Sequence, residues 1–338
     1  MSKRIDSPES WRNPDQHLQV VLSSPWYKQL SDLLSQVSYG THSFFQSQGA
    51  RAAFFPVTTG AVSSPIGRGS DSVPVKIVLG NREQFLADSM QFFLEVAVRI
   101  HRCPVYYIMP SFRGEPVDAR HLNQFFHVEA EVPGGIVTVM SMVESYIRSL
   151  ASHLLDKCAD SICQLAGTTA HVSALLDRES EFPRIRFEDA VRSLEPYSGS
   201  VMRRDGVVNI TAAGERELIR QFGEFIWITH FPRLVTPFYQ ARDGGSCNSL
   251  NADLLAGMGE IVGAGERAFT ANDLRESLHE HEVSHEDYSW YIQMKETTVL
   301  QTSGFGMGIE RFLLWLTATE DIRNLTILLR DNEHEYIP

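Results

Sequence analysis

Three segments of this 338-residue chain carry residue types for which a plain core has little use. The first is Ser111-Phe-Arg-Gly-Glu115, followed after a short loop by Arg120-His-Leu-Asn-Gln-Phe125. An arginine leaving a buried strand, an Arg120-His121 pair on a loop and a phenylalanine returning on the next strand can surround a nucleotide. Arg113 would meet a phosphate as a planar fork, and Phe125 would offer a face to a base. An exposed hairpin with a salt bridge would use the same residues. The second segment is Asp253-Leu-Leu-Ala-Gly-Met-Gly-Glu260, continuing through Gly263-Ala-Gly-Glu-Arg267. Two carboxylates on neighbouring strand-like stretches suit Mg2+, which holds nucleotide phosphates through one or two carboxylates plus water. The glycines let backbone approach a ligand closely, and a glycine-rich turn with solvated acids is the plain alternative. The third is Gly304-Phe-Gly-Met-Gly-Ile-Glu-Arg311, which runs into an apolar stretch at 312–316. Alternating glycines, Gly306 and Gly308 among them, make a strand against which something flat or another backbone packs. Arg311 then falls in the first turn of a helix. The string lacks the strand-turn-helix spacing of the dinucleotide fingerprint.

A fourth pattern, His281-Glu-Val-Ser-His285, fits the His-Glu-x-x-His of zinc hydrolases. That chemistry needs both histidines on one helical face and a third ligand in an open site. Here the pattern lies in a charged run, residues 279–287, between two expected helices, and reads as a solvated connector.

The elements that must position these segments follow from hydrophobic spacing. The first 24 residues are polar and punctuated by Ser and Pro, and read as a tail; residues 25–338 read as one domain. A helical pattern begins at Pro25 and ends near Gln48-Gly49, and short strand-like runs follow at 53–57, 75–79 and 84–87. A helix over 91–102 leads into a buried strand at 104–109, and a second run at 122–132 completes a hairpin. Val137, Met140, Val143, Ile147, Leu150, Leu154, Cys158, Ile162 and Leu165 recur every three or four residues, which is core packing on a long helix. The less regular stretch at about 167–209 reads as a peripheral excursion. Strands at 225–229, 249–255 and 260–263 precede helices at 273–279, 287–294 and 307–317. Helices and antiparallel strands segregate, which makes the fold class α+β.

Composition sets the outer bounds. With 43% hydrophobic and 21% charged residues the chain is globular, and no run approaches the roughly 18 apolar residues of a membrane span. Residues 1–19 are too polar for a secretion signal, and Cys103, Cys158, Cys163 and Cys247 form no Cys-x-x-Cys pair. A reduced, cytoplasmic protein is expected. The formal charge of -12, with no basic block, argues against an extensive nucleic-acid surface while allowing a compact anion held by a few arginines.

In order and spacing, the three segments resemble the catalytic domain of a class II aminoacyl-tRNA synthetase of the aspartyl/asparaginyl branch, with an antiparallel sheet flanked by helices. The helix ending at Gly49 and the strand reaching Pro56 resemble motif 1, Phe112 to Phe125 motif 2, and Gly304 to Arg311 motif 3. Phe182-Pro-Arg-Ile185, Glu188-Asp-Ala190, Gly259 to Gly263, Arg267 and Tyr288-Ser-Trp-Tyr291 are similar to pieces specific to the branch. The resemblance implies that Arg113 holds the α-phosphate of ATP with Glu115 beside the nucleotide. Arg120 or His121 would reach the outer phosphates, and Phe125 would stack on adenine. Arg311 would cover the other adenine face or the γ-phosphate, and Asp253 and Glu260 would hold Mg2+. It also implies a homodimer through motif 1.

Two departures bear on the kind of member this is. Only 24 residues precede the motif 1 helix, fewer than an amino-terminal anticodon-reading barrel needs. The loop from Pro56 to Asp71 lacks the glutamate that holds a substrate's α-ammonium, and Pro56-Val57, Pro65 and Gly67 look like the pattern of archaeal asparagine synthetase-related proteins. Those make asparagine from aspartate, ATP and ammonia. At the pocket, Arg267 matches the side-chain reader and Ser89-Met-Gln91 keeps the substrate-facing glutamine. Leu94 stands where aspartate users have a lysine, and Glu95 falls where asparaginyl enzymes place an amide-reading glutamate. An acid there repels aspartate and favours asparagine or a related amino acid. The leading expectation is an AMP-forming ligase that passes an acyl-adenylate to ammonia or another small amine. Transfer to tRNA without an anticodon domain, and a non-catalytic paralogue that binds amino acid or nucleotide, are the alternatives.

Overall fold

The computed structural model describes residues 4–64, 72–204 and 206–335. A 3-10 turn at Ser10–Arg12 precedes helix α1 (Pro14–Ser23), and α2 (Pro25–Ser47) follows at once. The break is local chemistry: the Ser24 side chain accepts from Trp26 N, and Pro25 opens the next helix. Strands β1 (Arg51–Ala52), β2 (Thr58–Thr59), β3 (Val75–Leu79) and β4 (Arg82–Leu86) lead to α3 (Gln91–His101). The hairpin β5 (Val105–Phe112) and β6 (Gln124–Pro133) and the long α4 (Ile136–Ala166) come next. Then follow α5 (Ala170–Asp177), β7 (Arg184–Arg186), α6 (Phe187–Leu194), β8 (Val201–Arg204), β9 (Val207–Ile210) and α7 (Ala212–Phe222). Strands β10 (Ile226–Thr229), β11 (Asn251–Ala256) and β12 (Gly259–Glu266) precede α8 (Ala271–Glu280) and α9 (Ser289–Thr297). Strand β13 (Thr302–Gly308) runs directly into α10 (Ile309–Thr317).

Eight strands form one sheet in the order β1-β5-β6-β13-β12-β11-β10-β7. Pairing is antiparallel from β5 to β10, and parallel only at the edge pairs β1/β5 and β10/β7. The architecture is α+β. Side chains alternate across a strand, so each inner strand divides its residues between two faces. Val128, Ala130 and Val132 of β6, Ala252 and Leu254 of β11, and Phe305 and Met307 of β13 join one apolar core with α2, α4 and α10. The opposite set faces a cavity. No helix among the described residues is long and apolar enough to cross a membrane.

Two expectations about organisation are corrected. Ser10–Arg12 and Pro14–Ser23 are helical and anchored to the rest of the fold, so this part of the expected tail is structured. Trp11 Nε1 donates to Asn324 Oδ1 at 3.1 Å, the guanidinium groups of Arg12 and Arg323 both lie over its ring, and His17 meets the Ile327 carbonyl at 3.1 Å. The anchors lie some 310 positions away along the chain, and no local pattern reveals them. The stretch 167–209 is also less peripheral than expected, because β7 completes the edge of the main sheet beside β10.

Candidate active site

The site begins with a register. Gly304, Gly306 and Gly308 of β13 stand opposite Glu131, Glu129 and His127 of β6. A Cβ at residue 304 would lie 1.8 Å from Glu131 Oε2 and 2.6 Å from Arg267 Nη2; one at 306 would lie 3.1 Å from Glu129 Oε1. The alternating glycines therefore clear space for a row of polar side chains on the neighbouring strand. Glu131 is buried and takes three hydrogen bonds from Arg267, two from Nε and one from Nη2 at 3.0 Å. Arg267 lines the cavity, and its Nη1 has no acceptor among the described residues. Glu129 accepts from Ser89 Oγ at 2.6 Å and from the Tyr107 hydroxyl, with His127 Nδ1 at 3.1 Å. Burial alone would raise the Glu129 carboxyl, but these hydrogen bonds hold it below its ordinary value.

A second group sits across the sheet. Asp253 on β11 and Glu260 on β12 both approach the space over Gly263, where a Cβ would lie 3.9 Å from one carboxylate and 3.3 Å from the other. Arg311, in the first turn of α10, donates to Glu260 Oε2 at 3.3 Å. Arg120, on the loop between β5 and β6, donates to Glu215 Oε2 of α7 at 2.5 Å. That ion pair crosses Gly259, whose missing side chain would lie 2.2 Å from Glu215 and 2.5 Å from Arg120. Burial first, then the charges of Glu260 and Glu215, push the Asp253 carboxyl well above the carboxylate range. Clustered acids so destabilised suit a divalent cation.

The segment after β5 holds a third observation. Arg113 Nε, Glu115 Oε2 and Asn123 Oδ1 are buried without a hydrogen-bond partner among the described residues. Buried polar groups are nearly always paired, so three orphans within eleven residues mark a place shaped for a polar ligand. The Arg113 guanidinium lies over the Phe125 ring at 5.6 Å.

One cavity of about 1780 Å³ unites these groups. Of the residues expected at the site, Ser89, Gln91, Arg113, Arg120, His121, Asp253, Glu260, Arg267, Gly306 and Arg311 line it. Glu115, Phe125 and Gly308 adjoin those residues without forming its wall. Glu95 is a correction. It is buried on the face of α3 that meets α9, where it accepts from Lys295 Nζ at 2.9 Å, Arg99 at 3.2 Å, Thr302 at 3.2 Å and the Tyr291 hydroxyl. Its hydrogen-bonding capacity is spent inside the protein. Beside Arg267, Ser89 and Gln91 the cavity-lining carboxylate is Glu129, which sequence reasoning missed along with His127 and Glu215. The available signal was the alternation of Phe125, His127, Glu129 and Glu131 in a strand opposite alternating glycines. The zinc-like pattern is broken: α8 ends at Glu280, and both nitrogens of buried His281 face backbone carbonyls of Ser277, Arg233 and Thr236. Residues 65–71 of the loop with no α-ammonium glutamate lie outside the described residues.

Compared with known proteins, residues 10–331 match the family described as tRNA synthetases class II (D, K and N). The chain belongs to this family. The match starts at residue 10, in keeping with the packed amino-terminal helix. Among relatives of these synthetases, the asparagine–tRNA ligase of Chloroflexus aurantiacus is 30% identical over 247 residues, covering 71% of this chain and 55% of that ligase. The asparagine–tRNA ligase of Koribacter versatilis is 27% identical over 311 residues, covering 90% and 68%. The chain thus spans about half the length of the Chloroflexus relative. The fold of this class II synthetase chain matches the asparaginyl-tRNA synthetase from Pyrococcus horikoshii complexed with asparaginyl-adenylate, with a TM-score of 0.87 and 22% identity over 98% of this chain and 76% of that one. The Entamoeba histolytica asparaginyl-tRNA synthetase, also with asparaginyl-adenylate, gives 0.82 at 21% identity, over 100% and 74%.

Proposed function

We propose that this class II synthetase chain joins asparagine to AMP at the expense of ATP and passes the asparaginyl group to the 3′ end of a tRNA. The observation that carries the reading is one cavity lined by Arg113, Arg120, Arg311, Glu129 and Arg267, with Arg311 beside Glu260 near the start of β12 and Arg267 just past its end. At the nucleotide end Arg113 would hold the α-phosphate, with Glu115 beside the nucleotide and Phe125 against adenine. Arg120, His121 and Arg311 would hold the outer phosphates, over the open backbone of Gly306 and Gly308. Asp253 and Glu260, which both approach the space over Gly263, would hold Mg2+, which would neutralise phosphate charge. The asparagine carboxylate is already ionised at neutral pH, so its attack on phosphorus needs alignment and cations and no base.

At the amino acid end Arg267 Nη1 would donate to the side-chain carbonyl, and Glu129 would accept from the amide NH2. Ser89 and Gln91 would complete this wall. Aspartate would set a second carboxylate against Glu129, which supports asparagine as the substrate. Glu129 thus provides what was expected of Glu95. The asparagine–tRNA ligase relatives support tRNA as acceptor better than ammonia or another small amine. Family membership and the exposed Tyr39 and Phe54 of the motif 1 region support a homodimer. ATP–pyrophosphate exchange across the common amino acids tests the reading. Exchange with asparagine well above aspartate, followed by acid-precipitable label on total tRNA, is the expected result. No exchange with any amino acid would overturn it.

A further inference from the structure

We propose that His127 is the general base of the transfer step, taking the proton from the acceptor hydroxyl as the asparaginyl group leaves AMP. The inference rests on the adenylate reading above and adds a residue to it. Positions 125, 127, 129 and 131 of β6 share one face, with about 6.7 Å between alternate residues. The nucleotide end of that row is marked by Arg113 over Phe125, and the amino acid end by Glu129 and the Glu131–Arg267 pair. An adenylate laid along the row places its acyl–phosphate linkage over residue 127.

The ring is held for that task. Its Nδ1 lies 3.1 Å from Glu129 Oε1 and 2.9 Å from Ser111 Oγ, and its edge packs on Phe125 at 4.8 Å between centroids. The residue opposite on β13 is Gly308, so no side chain from that strand covers the ring. Nε2 has no protein partner among the described residues, and the residue lines the cavity with 12% of its side chain exposed. Because the Glu129 carboxylate can only accept, Nδ1 carries the hydrogen and Nε2 presents a lone pair. A carboxylate that orients an imidazole in this way also stabilises the imidazolium formed later.

The step balances without another reagent. The acceptor oxygen bonds to the acyl carbon, the bond from that carbon to the phosphate oxygen breaks, and AMP leaves with the electron pair. The acceptor proton moves to Nε2 and then to solvent.

General bases contribute about 10²–10⁴-fold, so His127→Gln should lower the ratio of transfer to adenylate formation by about 100-fold. The measurement is single-turnover transfer from preformed enzyme-bound labelled asparaginyl-adenylate to total tRNA, beside ATP–pyrophosphate exchange by the same protein. Added imidazole should restore transfer by His127→Ala in part. A ratio that does not move, or imidazole without effect, would overturn the assignment. So would a wild-type protein that forms the adenylate yet passes it to none of tRNA, ammonia or hydroxylamine. Absence of exchange in the wild type would instead remove the adenylate reading itself.

Discussion

Arg113 and Glu115 show how a single side chain reveals a missing ligand. Their buried Nε and Oε2 atoms have no partner among the described residues, a cost that phosphate and nucleotide would offset under the proposed function. Arg113→Ala is therefore expected to abolish asparagine-dependent pyrophosphate exchange, at least 100-fold, while the thermal unfolding midpoint stays within about 3 °C of wild type. Glu310 offers a pH test at the same scale. Burial raises its carboxyl to about 7, against the opposing hydrogen bonds from Phe126 N. The folded value lies above the unfolded one, so this group's stabilisation is complete below about pH 4.5 and is lost as pH rises through about 7. Relative to Glu310→Gln, wild type should lose up to about 3 kcal/mol of unfolding free energy between pH 5 and 8, read from urea melts. A difference that is flat or grows with pH would show that Glu310 is ionised in the fold.

At the scale of elements, the pairing of β6 with β13 decides the site. Glycines at 304, 306 and 308 were legible in the sequence as an open strand, but their partners were not, because register depends on a strand some 180 residues away. Once paired, each glycine accounts for one polar side chain opposite it. Gly304→Ala should raise KM for asparagine by at least about 10-fold, because its Cβ would drive into the Glu131–Arg267 pair, a cost above about 1.4 kcal/mol. Steady-state exchange with asparagine and ATP varied separately would check it, with KM for ATP changing far less. The error over Glu95 has the same origin. Spacing placed it correctly on a helix, yet which face of α3 meets the cavity and which meets Lys295 of α9 is a matter of packing.

For the whole molecule, the amino-terminal segment closes the fold on its far end. Trp11 connects the first turn to Asn324 and Arg323, and Trp26 Nε1 donates to the Asn324 carbonyl at 2.9 Å. Trp11→Ala should cost about 3 kcal/mol in chemical unfolding and speed proteolysis within residues 4–24, with exchange activity retained. An unchanged unfolding free energy would mean that this segment contributes little to closure.

Local residue order was enough to define an α+β chain and to single out Arg113, Arg120, Arg311, Asp253, Glu260 and Arg267, all of which line the cavity. Those features are strings of neighbours whose chemistry and spacing survive in one dimension. Tertiary structure alone decided that Glu129 faces the cavity and Glu95 does not, that His127 stands between the two ends, and that the first helix is packed. Each of these depends on which face of an element meets which distant partner, and that is set by burial and strand register across the assembled sheet.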